Sequence, residues 1–176
     1  MGLEALARRL GSPQRHPAGS FFPAHPDSAY VHVVESRTDG SARPDSWLWH
    51  TDQSHRPDPA RYTVLQAHLL PRHGGDTLFA DTTAAHDQLP REWKALLDTA
   101  VGTHAHPLGS ATAHHPVVTL VPETGRPSLY LNHHWAPHDI LVWDNQRVMH
   151  RATPLAPGTR RVMHRVTSTR PTSSSA

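Results

Sequence analysis

Two short stretches of this chain carry residues able to hold a metal ion and an acid. Trp49-His50-Thr51-Asp52 is the first, and Trp143-Asp144-Asn145 leads through His150 to Arg161 and Arg165 near the end. Between them stands Gly74-Gly75-Asp76-Thr77. Two imidazoles and one carboxylate can occupy one face of a divalent ion and leave the opposite face open. That is the arrangement of non-haem iron(II) centres, where O₂ and a co-substrate take the open positions. The arginines that follow are of the type that grips an organic acid through two parallel hydrogen bonds.

A His-x-Asp pair alone carries little weight here. With 17 His in 176 residues, about one such pair is expected by chance. Two occur, His25-Pro26-Asp27 and His50-Thr51-Asp52. The first sits among prolines and suits a solvated turn. The second follows Ser46-Trp47-Leu48-Trp49, whose aromatics would wall a buried site. In an extended segment positions i and i+2 point to one face, so His50 and Asp52 can reach a single ion. The doublets His114-His115 and His133-His134 place neighbours on opposite faces of a strand and suit one ion poorly.

The final strand-like stretch alternates. Arg161, Met163 and Arg165 share one face, and Val162, His164 and Val166 share the other. The arginine face is either solvated, the usual fate of charged side chains, or turned into a barrel mouth where it meets anionic groups. Alternation by itself leaves both readings open.

Composition sets bounds on what these residues can belong to. A chain of 176 residues is one domain by size, able to bury roughly 70% of its unfolded surface. Residues 1–168 are read as that domain and residues 169–176, rich in Ser and Thr, as a disordered tail. There is no Cys, which excludes disulfides and thiolate metal sites. Formal net charge is +2 with arginines scattered in pairs, so no nucleic-acid partner is expected. No apolar run approaches the ~20 residues of a membrane span, and the start lacks the apolar centre of a signal peptide. The expected setting is the cytoplasm, without a membrane partner.

Leu3, Leu6 and Leu10 mark a helix over residues 1–11 that Gly11 ends. A shorter helix is expected over 82–89. Another follows Pro90, where Trp93, Leu96 and Leu97 fall at i, i+3 and i+4. Strand-like runs cover 29–35, 61–70, 101–106, 116–121, 128–132, 139–143 and 161–167, separated by turn formers such as Asp39-Gly40 and Thr124-Gly125-Arg126-Pro127. Many short strands with few helices predict a mainly β fold of the sandwich or jelly-roll kind.

Taken together these blocks resemble the iron(II)/2-oxoglutarate-dependent dioxygenases related to taurine dioxygenase and 2,4-dichlorophenoxyacetate dioxygenase. The resemblance runs from Leu6-Ala7-Arg8-Arg9-Leu10-Gly11 through Trp49-His50-Thr51-Asp52 and Gly74-Gly75-Asp76-Thr77-Leu78-Phe79-Ala80-Asp81. It continues through His115-Pro116-Val117-Val118, Leu129-Tyr130-Leu131-Asn132, Trp143-Asp144-Asn145, His150-Arg151-Ala152 and Arg160-Arg161-Val162-Met163-His164-Arg165. It implies a double-stranded β-helix, or jelly roll, shortened relative to that family. It implies iron(II) held by His50, Asp52 and His150, with 2-oxoglutarate and O₂ as co-substrates. Thr77 and Arg161 would bind the distal carboxylate of 2-oxoglutarate. Arg165, and more weakly His16, would meet the acidic group of a small organic acid, a sulfonate or carboxylate. Hydroxylation of that acid would release succinate and CO₂.

The family's opening strands, and several dozen residues between Asn132 and Trp135, have no counterpart here. An uncovered edge there would favour a homo-oligomer. One alternative is therefore a truncated, non-catalytic metal-binding paralogue. A remote one is a histidine phosphatase, from the short Arg72-His73-Gly74 signature, in which the His is phosphorylated.

Overall fold

A computed structural model describes residues 2–15, 22–37, 48–106, 111–119, 132–133 and 137–169. The first helix, α1 (Leu3–Leu10), lays Leu3 and Ala7 against Val31, Val64 and Val166, with Leu6 and Leu10 packed alongside. The leucine stripe thus finds the sheet it requires, with Ala7 fully buried between them.

Ten strands follow. They are β1 (Ala24–His25), β2 (Ser28–Arg37), β3 (Tyr62–Leu69), β4 (Thr77–Asp81), β5 (Val101–Ala105), β6 (Thr112–Pro116), β7 (Asn132–His133), β8 (Ile140–Asp144), β9 (Val148–Ala152) and β10 (Arg160–Ser168). One antiparallel sheet has the order β1-β2-β10-β3-β8, a smaller one β7-β4-β9, and β5 and β6 form a separate hairpin. Leu65, Ala67, Trp143 and Met163 of the large sheet meet Phe79 of the small one. The large sheet is therefore clothed by α1 on one face and by this inner core on the other. The fold is the mainly β jelly roll expected from the strand pattern.

The two helices between β4 and β5 are α2 (Thr82–Asp87) and α3 (Arg91–Leu97). Asp81 starts α2 by accepting from the backbone N–H groups of Thr83 and Ala84, which satisfies donors a helix start leaves open. The apolar spacing on α3 foretold a helix but not its packing. Trp93 and Leu96 remain 54% and 60% exposed.

Three strand expectations change. The stretch expected at 116–121 instead ends a strand at Pro116, because Thr112–Pro116 pairs residue for residue with Val101–Ala105. Strands β4 and β9 were not expected. Their inward positions carry Thr77, Asp81 and His150, so alternation of apolar with polar residues is masked. Of the run at 128–132, only Asn132 lies among the described residues. Asn132 pairs with Leu78 at the edge of the small sheet. Thr169, at the head of the expected tail, still donates its N–H to the carbonyl of Ser12, and residues 170–176 lie outside the described residues.

Candidate metal centre

His50 and His150 lie 100 positions apart yet face each other across a backbone bridge. The N–H of each donates to the carbonyl of the other, at 3.1 and 2.8 Å. Residues opposed in this way on antiparallel segments put their side chains on one face, and the ring centroids are 4.3 Å apart. Asp52, two residues past His50, brings the third donor. One ligand atom from each of His50, Asp52 and His150 lies within 4.8 Å of the others.

The state of each group suits a cation. Nδ1 of His50 donates to the carbonyl of Leu48 at 2.8 Å, which leaves Nε2 as the nitrogen able to ligate an ion. Such outward hydrogen bonds fix the tautomer of metal-binding histidines. Burial pushes His150 down to about 4, helped by the nearby His50 and Arg165 and opposed by Asp52, so the ring is neutral at ordinary pH. Burial alone would raise the Asp52 carboxyl. Arg165, His150, His50 and a hydrogen bond from Thr63 outweigh it and hold the group well below the usual carboxylate range. Two imidazoles and one ionised carboxylate, Asp52 and His150 both under a tenth exposed, form a donor set of the kind iron(II) takes with positions left open. The residues fit the ion.

A support surrounds Asp52. Thr63 Oγ1 donates to its Oδ2 at 2.6 Å, and Arg165 to its Oδ1 at 3.0 Å. Each residue of the Trp143-Asp144-Asn145 block has its own contact. Trp143 lies tilted beside His150, with centroids 4.7 Å apart, and meets Phe79 edge-to-face at 5.3 Å. Asp144 receives Arg61 through two parallel bonds of 2.8 and 2.7 Å. Asn145 accepts from Trp143 and donates to Thr63.

A second cluster lies one pleat along. On β4 and β9, Thr77 opposes Ala152 and Phe79 opposes His150, so Thr77 and His150 share a face. Arg161 Nη2 donates to Thr77 Oγ1 at 3.1 Å across the gap between the sheets. Burial lowers the Arg161 guanidinium to about 10, partly offset by Asp76. Gly74 and Gly75 both have φ near +77°, where L side chains are strained. A Cβ on Gly75 would also stand 2.8 Å from Leu155 Cδ2 and 3.2 Å from Arg161 Cδ. The glycine pair thus turns the chain and makes room for the arginine.

Arg161, Met163 and Arg165 do turn inward, with Arg161 4% exposed. Among the sequence-derived candidates, His50, Asp52, His150 and Arg165 come together, and Thr77 meets Arg161. Arg165 has a partner the sequence did not suggest, Asp52 itself. His16 lies outside the described residues. His25 and Asp27 form an exposed turn closed by the Asp27 N–H donating to His25 Nδ1. Arg72 and His73 are exposed at a bend. Thr63 and Asn145 are the polar site residues the sequence reading gave no role. Asn145 belongs to the Trp143-Asp144-Asn145 block, while Thr63 carries no signal until strand register places it.

The profile of the family described as taurine catabolism dioxygenase TauD, TfdA family matches residues 2–134 and 126–167. An (S)-phenoxypropionate/alpha-ketoglutarate-dioxygenase from Sphingobium herbicidovorans is 28% identical over 207 residues, covering 85% of this chain and 71% of the relative. An alpha-ketoglutarate-dependent sulfonate dioxygenase from Saccharomyces cerevisiae is 26% identical over 192 residues, covering 81% of this chain and 45% of that one. Among solved structures, AAD-2 in complex with Mn(II) and N-oxalylglycine superposes with a TM-score of 0.81 at 22% identity, over 96% of this chain and 80% of that one.

Proposed function

This chain belongs to the taurine catabolism dioxygenase TauD, TfdA family, and on that premise we propose that it is an iron(II)- and 2-oxoglutarate-dependent dioxygenase of a small organic acid. The observation that carries the reading is the closeness of His50, Asp52 and His150, with the buried Arg161–Thr77 pair on the same inner face. When bound, iron(II) and 2-oxoglutarate supply oxygen activation, with succinate and CO₂ as by-products.

The chain's own residues do the rest. His50, Asp52 and His150 hold the metal on one face. Arg161 and Thr77 hold the distal carboxylate of 2-oxoglutarate, where a guanidinium in a nearly dry setting gives a strong, directional bond. Phe79 and Trp143 wall the metal from water on the side of the inner core. Arg165 receives the acidic group of the substrate while its Nη1 steadies Asp52. Its Nε–H is buried without an acceptor, a donor that a ligand oxygen would satisfy. The Phe22 ring, 5.3 Å from the Arg165 guanidinium carbon, offers an apolar wall beside that acid anchor. The relatives named above act on a phenoxypropionate and on sulfonates, and both kinds of acid fit such an anchor.

The test is oxygen-dependent release of succinate from 2-oxoglutarate in the presence of iron(II), measured against a panel of alkyl sulfonates and aryloxyalkanoic acids. At least one acid should stimulate succinate release and be consumed in step with it, and His150→Ala should abolish both. Succinate release that survives His150→Ala would overturn the assignment.

A further inference from the structure

We propose that Trp143, Asn145 and Thr63 form a one-way hydrogen-bond relay that positions Asp52 for the metal, so that the large sheet rather than the loop at 51–58 sets the ligand's orientation. The inference rests on the reading of Asp52 as a metal ligand. These are positioning residues, since none of the three contacts a donor set other than through Asp52 or by packing.

Every direction in the relay is forced. An indole N–H can only donate, and that of Trp143 lies 3.0 Å from Asn145 Oδ1. The backbone N–H of Asp52, also a donor only, lies 3.3 Å from the same oxygen. Two obligatory donors therefore fix which end of the Asn145 amide is oxygen. Its Nδ2 must then face Thr63 Oγ1, to which it donates at 2.9 Å. A hydroxyl that accepts here keeps its single proton for another partner. The partner is Asp52 Oδ2 at 2.6 Å, the length of a charge-assisted O–H···O⁻ bond.

The relay is built into strand register. Thr63 on β3 stands directly opposite Trp143 on β8, and Asn145 follows Trp143 by two residues. The turn that carries Asn145 is clamped twice, by its own N–H donating to the Arg61 carbonyl at 2.8 Å and by the paired bonds from Arg61 to Asp144. Thr63, Trp143, Asn145 and Asp52 are all buried, so water cannot stand in for a missing member. An unmade bond in such a place is left unsatisfied.

The experiment measures Co(II) affinity by calorimetry and the visible ligand-field spectrum of the Co(II)-loaded protein, with near-ultraviolet circular dichroism as a check on the fold. Thr63→Val keeps the shape and removes the proton, and it should weaken Co(II) binding roughly 10- to 100-fold and alter the spectrum. Thr63→Ser keeps the proton and should bind as the parent does. Asn145→Asp cannot donate to Thr63, draws the Thr63 proton away from Asp52, and should weaken binding at least as much as Thr63→Val. Should Thr63→Val fail to fold, Asn145→Asp and Thr63→Ser decide the matter. Parent-like affinity in Thr63→Val or Asn145→Asp, or equal losses in Thr63→Val and Thr63→Ser, would overturn the relay. His150→Ala separates the two levels. If it binds Co(II) as tightly as the parent, or the parent binds none, the metal reading itself falls. If it abolishes binding while Thr63→Val does not weaken it, only the relay falls.

Discussion

Replacing Arg161 by Met should stabilise the ligand-free protein while removing its response to 2-oxoglutarate. Burial lowers the guanidinium from its ordinary value by more than two units, to about 10. At 1.36 kcal/mol per pKa unit, keeping that charge inside costs on the order of 3 kcal/mol relative to the unfolded chain. Methionine fills much of the same apolar stem without the charge. The lost bond to Thr77 returns about 1 kcal/mol or more. The net gain is roughly 1–2 kcal/mol, or a Tm rise of about 2–8 °C for a chain of this size. A base whose folded pKa lies below its unfolded value costs stability at every pH below the folded one, and the cost fades only as pH rises above about 10. The gain should therefore be equal at pH 7 and pH 9. Thermal unfolding with and without 2-oxoglutarate, in the presence of Co(II), gives both readouts. Ligand should raise the Tm of the parent by mass action and leave Arg161→Met unmoved. A ligand-free Arg161→Met that melts below the parent, or one that keeps the ligand-induced rise, would refute the reasoning.

Three further outcomes are expected. His50→Ala, Asp52→Ala and His150→Ala should each abolish Co(II) uptake, whereas His25→Ala should not, as equilibrium dialysis would register. Arg165→Ala should raise the KM for the acidic substrate by roughly tenfold or more, the cost of one hydrogen bond to a charged group, with a smaller effect on the KM for 2-oxoglutarate; steady-state kinetics with each ligand varied would reveal a reversal. On the opposite face of the large sheet, burial and then His68 and His25 lower His164 to about 4. His68→Gln removes one of those neighbours, whose ring centroid is 3.6 Å away. It should move the His164 midpoint up towards 6.5 in an NMR titration, and an unmoved midpoint would exclude the coupling.

Residue types and spacing carried the His50 and Asp52 pair, because the two are two residues apart and local geometry joins them, while the resemblance to the family implied His150 as the third donor. What spacing could not carry was the approach of His150, which depends on a bridge between distant segments. The strands that hold Thr77 and His150 escaped notice for a physical reason. Their inward faces mix polar Thr77, Asp81 and His150 with apolar Phe79, so they lack the regular apolar alternation that betrays a half-buried strand. The opposite error occurs on α3, where Trp93, Leu96 and Leu97 repeat at helical spacing while Trp93 and Leu96 stay exposed. Periodicity reports which side of a helix is apolar and not whether anything covers it. Arg165 illustrates a third limit. Alternation placed it beside Arg161, but its pairing with Asp52 depends on side-chain reach across the layer.

The reciprocal backbone pairing of His50 with His150 would make a bound ion a detachable cross-link in the chain. An ion gripping both rings ties together segments separated by 100 residues, as a disulfide would, but one that a chelator can undo. In the chain-entropy picture, closing a loop of about 100 residues restricts the unfolded ensemble by roughly 4–5 kcal/mol. The advantage falls away if the unfolded chain also holds metal. Occupancy of the centre would then be legible far from it, as resistance of the intervening polypeptide to proteases, rising with metal concentration and vanishing on chelation.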